Sequence, residues 1–418
     1  MGDSKIQAAF TRLLNDSRIQ KALAFIKDDH SAMVAEQKEM AVIPGAPWTE
    51  MEIRSPMYLE KLRKYGLGDC YMDEVGNVFG FVGGKNKGKP GGPKIVMEGH
   101  LDTVFPIETP LAVTEKDGRI YCPGIGDDTA ALATLLSVVR AIRHAELTPC
   151  GTLMLGGTVG EESAGEARGV IHLMETQKDI DAYIAVETCW TYRVTRGAVA
   201  CLRYEVTFKG PGGHSWGAFG LPSALHAAGR AVAAIADLTP PSDPKTTFNV
   251  GLIKGGAGVN VIAGETVMRV DMRSVSTQER EKLSERVTEC IRAAVAKENK
   301  DRPQAEWVTA HIREYNLKPG GDQPIEADIV QIAAEATKAV GVEPRFMPPS
   351  STNANFPIDM GIPALCIGAG GDAGNTHAMD EWFDPTDSYT GPQKCLLMLF
   401  AMAGLEGVTA PLIPVRNE

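Results

Sequence analysis

Glu161 and Glu162 stand side by side at the end of the apolar segment TLMLGGTVGEES, where adjacent carboxylates are costly unless they carry chemistry. One can ligate a metal ion while its neighbour takes or gives a proton. That division of labour needs imidazole and carboxylate partners. The chain supplies them after other apolar runs: His100 and Asp102 in IVMEGHLDTVFP, Asp127 and Asp128 in PGIGDDTAA, Glu187 in AYIAVETCW and His377 in AGNTHAMDEW. Two histidines with three or more carboxylates suit a pair of divalent ions, bound through imidazole nitrogen and carboxylate oxygen with one carboxylate bridging. Zinc is the first expectation, and manganese or cobalt suit the same donors. Each residue alone has a plainer alternative. A histidine at a strand end is commonly a hydrogen-bonded structural group, and Asp127 or Asp128 could cap the helix that follows. Together they would bury uncompensated charge at several kcal/mol apiece unless cations join them.

Hydrophobic periodicity indicates the elements that must place these groups. Helices are expected over residues 17–38 and 55–65, and YMDEVGNVFGFVGG reads as strand, turn and strand with Gly76 and Asn77 in the turn. After the loop GKNKGKPGGPK, KIVMEGHLDTV is a buried strand. A helix follows over about 129–145, then the strand GTLMLGGTV, a helix near 166–176 and the strand DAYIAVE. This alternation predicts an α/β fold, a mostly parallel sheet with helices on both faces, whose ligands gather beyond the carboxyl ends of the strands.

The pattern changes after Glu187. A strand (AVACLRYEVTFKG), a helix (LPSALHAAGRAVAAIADL), two strands (KTTFNVGLIKGG, ETVMRVDMRSV), a helix (TQEREKLSERVTECIRAAVAKEN) and a strand (EWVTAHIREY) follow in turn. The second helix places Leu283, Val287, Cys290, Ile291 and Ala294 on one face. This order is the split βαβ arrangement of ferredoxin-like domains. The expected organisation is a catalytic domain built from 1–196 and 316–418, with an α+β domain inserted at 197–315. After the insertion come a helix at 325–340, the loop PPSSTNANFP, the strand IPALCIG, a glycine-rich loop and a helix near 387–404.

Composition narrows the function classes. A chain of 418 residues suits two domains, and a net charge of -11 without any basic run argues against nucleic acid as a partner. No window approaches the roughly 20 apolar residues of a membrane span, and the N-terminus lacks the apolar stretch of a signal peptide, so a cytoplasmic location is expected. Eight scattered cysteines with no CxxC pair read as small core residues rather than a disulfide framework or thiolate zinc site.

Taken in order and spacing, GHLDTV, PGIGDD, GTVGEE, GPGGHSWGAFG, VNVIAGE, RVDMRS and NTHAMDEW resemble the M20 family of metallopeptidases and related deacylases, the group that includes carboxypeptidase G2 and peptidase T. The likeness covers nearly the whole chain. It implies a small-molecule substrate with an amide-type C–N bond, and two divalent ions per subunit. Asp127 would bridge them, His100 and Glu187 would complete one site, and Glu162 and His377 the other. Glu161 would be the general base and Asp102 would orient His100. The insertion corresponds to the family's lid or dimerisation domain, which implies a homodimer or higher homo-oligomer. There His214, which reads from the residues alone as a turn histidine, would by the resemblance reach the neighbouring subunit's active site as an oxyanion donor, and Asn260 would touch substrate. Arg273 either binds a substrate carboxylate or is structural.

Two features depart from the family pattern. Many relatives carry Asp where SSTNANFP has Asn353, and TCWTYR sets Trp190 and Tyr192 just beyond Glu187. Asn353 and Trp190 are candidate substrate-binding groups, with Trp190 a flat wall for an aromatic substrate or an aromatic packed under the lid. They motivate an alternative in which the same machinery deaminates an aryl amine such as an aminobenzoate, the chemistry of the family's aminohydrolase branch. A non-catalytic binding protein on the same fold is the alternative from another class, and the retained base and ligands argue against it.

Overall fold

The computed structural model describes residues 2–83, 92–162, 165–300 and 307–416, so the expected loop GKNKGKPGGPK lies largely outside the described residues. The chain divides into two compact units, Met1–Gly197 with Asp322–Glu418, and Ala198–Gly321.

An eight-stranded sheet organises the first unit. Its order is Gly68–Met72, Val78–Val82, Thr152–Thr158, Lys94–His100, Ala182–Val186, Ala364–Ile367, Arg193–Thr195 and Arg345–Met347. The four central strands, from Thr152–Thr158 to Ala364–Ile367, run parallel, whereas the sheet turns antiparallel where Thr152–Thr158 meets Val78–Val82 and where Ala364–Ile367 meets Arg193–Thr195. The sheet is therefore mixed, with its parallel part at the centre. Every residue of TLMLGGT, KIVMEGH, AYIAV and ALCI is buried, as strands covered on both faces require. His100 pairs in register with Thr158, and Ile367 with Val186, so the carboxyl ends of these strands lie level.

The helices differ from expectation in two places. The span 17–38 is two helices, Ser17–Asp28 and His30–Ala41, separated at Asp29, whose carboxylate receives Arg140 and Ser137. A further helix, Gly2–Asn15, buries Ile6, Phe10 and Leu13. The glycine-rich stretch after Ile367 is also more ordered than a loop. Asp372–Gly374 and Trp382–Asp384 pair with each other and join Arg119–Tyr121 and Thr114–Lys116 in a small sheet, and His377 lies in the connection between the first two.

The second unit is a four-stranded antiparallel sheet ordered Thr246–Gly255, Glu265–Ser274, Ala200–Lys209, Thr309–Lys318, with helices Ala224–Ala236 and Thr277–Asn299 packed against it. This is the ferredoxin-like order. Leu283, Val287, Ile291 and Ala294 are buried in its core, with Cys290 at the edge. The unit runs past residue 315 because its last strand continues to Lys318. Among the described residues no helix is long and apolar enough to cross a membrane.

Candidate metal centre

His100 ends its strand at the carboxyl edge of the central sheet, with the ring 2% exposed. Its Nδ1 donates to the backbone carbonyl of Asp102 at 2.9 Å, which leaves Nε2 aimed at Asp127 Oδ1, also 2.9 Å away. A neutral ring fixed in this way sets lone pair against lone pair, so the position requires a proton or a metal cation between the two atoms. His377 repeats the arrangement from the opposite side. Its Nε2 lies 3.1 Å from Glu162 Oε1 and 3.2 Å from Asp127 Oδ2. Asp127 thus presents one carboxylate oxygen to each imidazole. Possible ligand atoms of His100, Asp127 and Asp128, of His100, Glu161 and Glu162, and of Asp127, Glu162 and His377 each gather within 4.8 Å of one another. The donor set and its spacing fit a dinuclear site for divalent ions.

The surrounding groups fix this constellation. Asp102 is fully buried and takes the backbone N–H of Glu161 on Oδ1 (3.0 Å) and that of Glu162 on Oδ2 (2.9 Å). It therefore clamps the glutamate loop as well as lying 3.5 Å from His100 Nδ1. Asp128 occupies the N-cap position of helix Thr129–His144 but makes no side-chain cap bond. Its oxygens instead receive the backbone N–H of His100 (2.9 Å) and of Thr188 (3.0 Å), tying the ends of two strands together. A side chain at Gly99 would meet the Asp128 carboxylate at 2.9 Å, which accounts for glycine there. Glu381 takes the N–H groups of Gly124, Gly126 and Asp127 and so cradles the loop that carries the bridging carboxylate. His377 and Thr188 both have positive φ, at 68° and 58°, a concentration of backbone strain common at functional sites.

Glu187 stands outside those three close groups. Its Oε2 is 3.3 Å from Cys366 Sγ and 3.5 Å from Arg193 Nη2. Sequence reasoning missed Arg193, Asp128 as a strand clamp, and Glu381. The pairing of DEW with the metal-site histidine in AGNTHAMDEW was the one available signal for Glu381.

The electrostatics report a shortage of positive charge. Burial, reinforced by the charges of Asp127 and Glu161 and partly offset by His377, pushes Glu162 up to about 7. Burial with the charge of Glu161 does the same for Glu187. Burial disfavours a charged His100, but Asp128, Asp102 and Asp127 outweigh it and hold the imidazole well above its usual value. Hydrogen bonds to Asp127 and Glu162 lift His377 to about 10. Asp127, despite its burial, is held well below the carboxylate range by the two imidazoles. Divalent cations would relieve all of these strains at once.

The remaining candidates make contacts of their own. Trp190 is half-buried, its Nε1 donating to Asp372 at 2.5 Å and its ring stacked on Tyr192. Asn353 is 2% exposed and donates to Thr158 Oγ1 at 2.8 Å. His214, Asn260 and Arg273 belong to the second unit. His214 is exposed, with Nδ1 accepting from the backbone N–H of Trp216 and Gly217, and the Asn260 carbonyl accepts from Ser215. Arg273 Nε donates to Asp271 at 2.8 Å.

Two imidazoles and several acidic side chains gathered around one carboxylate, some at the ends of parallel strands and His377 from the connection in the small sheet, make the arrangement of a metal-dependent hydrolase. The chain matches Peptidase family M20/M25/M40 over residues 96–398 and belongs to that family. Acetylornithine deacetylase from Myxococcus xanthus is 27% identical over 343 residues, which span 78% of this chain and 84% of the relative. Aminopeptidase PepT from Bacillus cereus shares the fold with a TM-score of 0.71 at 20% identity, over 88% of this chain and 97% of the other. A dinuclear metal binding peptidase of the M20 family from Bacillus subtilis superposes with a TM-score of 0.63 at 15% identity, over 89% and 98%.

Proposed function

We propose that the protein hydrolyses the amide bond of a small acylated amine, an N-acyl amino acid or a short peptide, with Glu161 as general base. The observation that carries this reading is the carboxylate of Asp127, which turns one oxygen to His100 and the other to His377. Two bound divalent ions, zinc first and manganese or cobalt next, would acidify water and polarise the scissile carbonyl. His100, Asp127 and Glu187 would hold one, and Asp127, Glu162 and His377 the other. Glu161 takes the proton from the attacking water and passes it to the departing nitrogen, as a carboxylate beside the ligand set can. Asp102 holds the loop of Glu161 and Glu162 by its two backbone bonds and keeps His100 in one orientation.

In this reading the second unit supplies substrate contacts and assembles a homodimer. His214 donates to the oxyanion across subunits, Asn260 binds substrate, and Arg273 receives a substrate carboxylate with the fork its Nε bond to Asp271 leaves open. The relative named for acetylornithine, an N-acyl amino acid, supports that substrate class. The aryl-amine alternative drew its motive from Asn353 and Trp190. Burial of the first and the tether of the second to Asp372 favour the amide reading.

Elemental analysis with turnover of N-acyl amino acids and dipeptides tests the proposal. Glu161→Gln is expected to keep both ions and lose about 10²–10⁴-fold in kcat. Loss of metal together with activity would remove Glu161 from the role of base, and ammonia release from an aminobenzoate with no amide turnover would replace the substrate class.

A further inference from the structure

Behind the metal centre lies a buried carboxylate that forms no ion pair among the described residues. Glu98 is 1% exposed and precedes His100 by two positions on the same strand. Tyr183 donates its hydroxyl to Oε1 at 2.7 Å, and Thr158 donates to Oε2 at 2.7 Å. Asn353 Nδ2 lies 3.5 Å from both carboxylate oxygens and donates to Thr158 Oγ1 at 2.8 Å. Thr158 and Tyr183 are fully buried. An apolar side chain would fill this position at less cost, because hydroxyls replace the lost hydration of a carboxylate only in part.

The four groups come from the segments on which the centre is built. Glu98 stands on the strand ending in His100, Thr158 ends the strand before Glu161 and Glu162, Tyr183 lies on the strand before Glu187, and Asn353 precedes the helix Asn355–Asp359. Their hydrogen bonds have a direction. Thr158 has one proton and gives it to Glu98, so its oxygen must receive from its other neighbour. Asn353 fills that need with Nδ2, and its Oδ1 is left buried without a partner. Turning the amide would set Oδ1 against the Glu98 oxygens and leave Thr158 one proton for two acceptors. The amide leaves one buried acceptor unsatisfied in order to supply a donor.

We infer that Glu98, Thr158 and Asn353 form a directional hydrogen-bond relay that positions the ligand-bearing strand ends, and that position 353 requires an amide because the relay's carboxylate stands at 98. These are positioning residues, and the inference rests on the ligand roles proposed for His100, Glu162 and Glu187. Asn353→Asp would set two carboxylates to compete for the single proton of Thr158. The double variant Glu98→Gln/Asn353→Asp reverses the relay: Gln at 98 donates to Thr158, Thr158 donates to Asp at 353, and the Tyr183 bond is kept.

Zinc affinity by chelator competition, kcat and KM, and thermal melting of the full chain test the relay in four variants: Glu98→Gln, Asn353→Asp, Thr158→Val and the double variant. Asn353→Asp and Thr158→Val are each expected to weaken zinc binding and lower kcat by about 10-fold, the low end of the loss when a direct partner of a metal ligand is removed. The double variant is expected to recover both quantities to near the wild-type values. Thr158→Val introduces no charge, so a fall in melting temperature with unchanged zinc affinity and kcat would reduce the network to packing and overturn the inference. A double variant as impaired as the two single changes combined would overturn it as well. Should Asn353→Asp fail to fold, a folded double variant supports the relay and an unfolded one refutes it. If zinc is not bound by the wild-type chain, the ligand assignment fails, while rescue of melting temperature still decides the relay.

Discussion

Acidic side chains are satisfied in opposite ways in the two units. On the sheet of the second unit, Asp271 receives the Nε of both Arg203 and Arg273 at 2.8 Å, and Glu205 receives Arg269. Burial works against Asp271, but the two guanidinium groups prevail and hold its carboxyl below the usual range. The hydrogen bond from Arg269 does the same for Glu205. In the first unit, burial instead pushes Glu162, Glu187 and Glu381 up to about 7 and raises Asp128 well above the usual carboxylate range. One set of carboxylates is balanced by the arginines of its own sheet, and the other keeps more buried negative charge than its imidazoles and Arg193 offset, as a site for cations would. Unmatched buried charge marks the functional site; the number of acidic residues does not.

The strongest way to break this contrast is to remove the imidazoles. His100→Ala and His377→Ala should each cost at least one metal ion per chain by elemental analysis. Turnover should fall by more than the roughly 10–100-fold loss seen when only an outer partner is removed. Full metal content in either variant would erase the distinction between the units.

A pH series sharpens the contrast at intermediate size. In the metal-free protein Glu162 and Glu187 keep protons up to about 7, whereas their unfolded counterparts release them near 4.5. His377 keeps its proton to about 10 against an unfolded value of 6.5. Over these windows the folded state binds more protons than the unfolded chain, so these groups stabilise the metal-free fold below the unfolded values and that stability is lost as pH rises. Asp271 has the opposite sign, its contribution being present above 3.8 and lost on acidification. Melting with chelator at about pH 5.5 and about pH 8.5 should give the lower midpoint at the higher pH. Zinc should bind more tightly at the higher pH, where fewer protons must be displaced. A metal-free midpoint that rises across this range would contradict the assignment.

The smallest effect is expected on the second unit's sheet. Arg269→Gln breaks a bridge whose arginine is 51% exposed, and should change stability by about 0.2–1 kcal/mol, less in high salt. A loss several times larger by denaturant titration would show that these pairs, too, are under strain.

Much of the fold was legible because its signals are local. KIVMEGH, TLMLGGT and AYIAV are continuous apolar runs, and a strand buried on both faces needs little more. The ferredoxin-like order could be read from the succession of strand and helix periods between 200 and 318. The helix Gly2–Asn15 is absent from the expectation although Ile6, Ala9, Phe10 and Leu13, all buried, stand at helical spacing. Arg193–Thr195 and Arg345–Met347 are three residues long, too short to show a period. In the site, the sequence picked out the residues of the three close groups from their types and positions after strands. It could not choose between cap and site for Asp128. That choice lay with the N–H groups of His100 and Thr188, which are 28 and 60 positions away.

The sequence by itself determined which residues can bind cations and which strands end beside them, since residue type and hydrophobic period are properties of short segments. Tertiary structure alone decided how the acids divide their work. Asp127 faces two imidazoles, Asp128 and Glu381 hold backbone, Asp102 grips the glutamate loop, and Glu98 lies behind them with Thr158 and Asn353. The physical reason is that a carboxylate's role is set by which donors burial places against it, and those donors come from segments brought together only when the parallel sheet assembles.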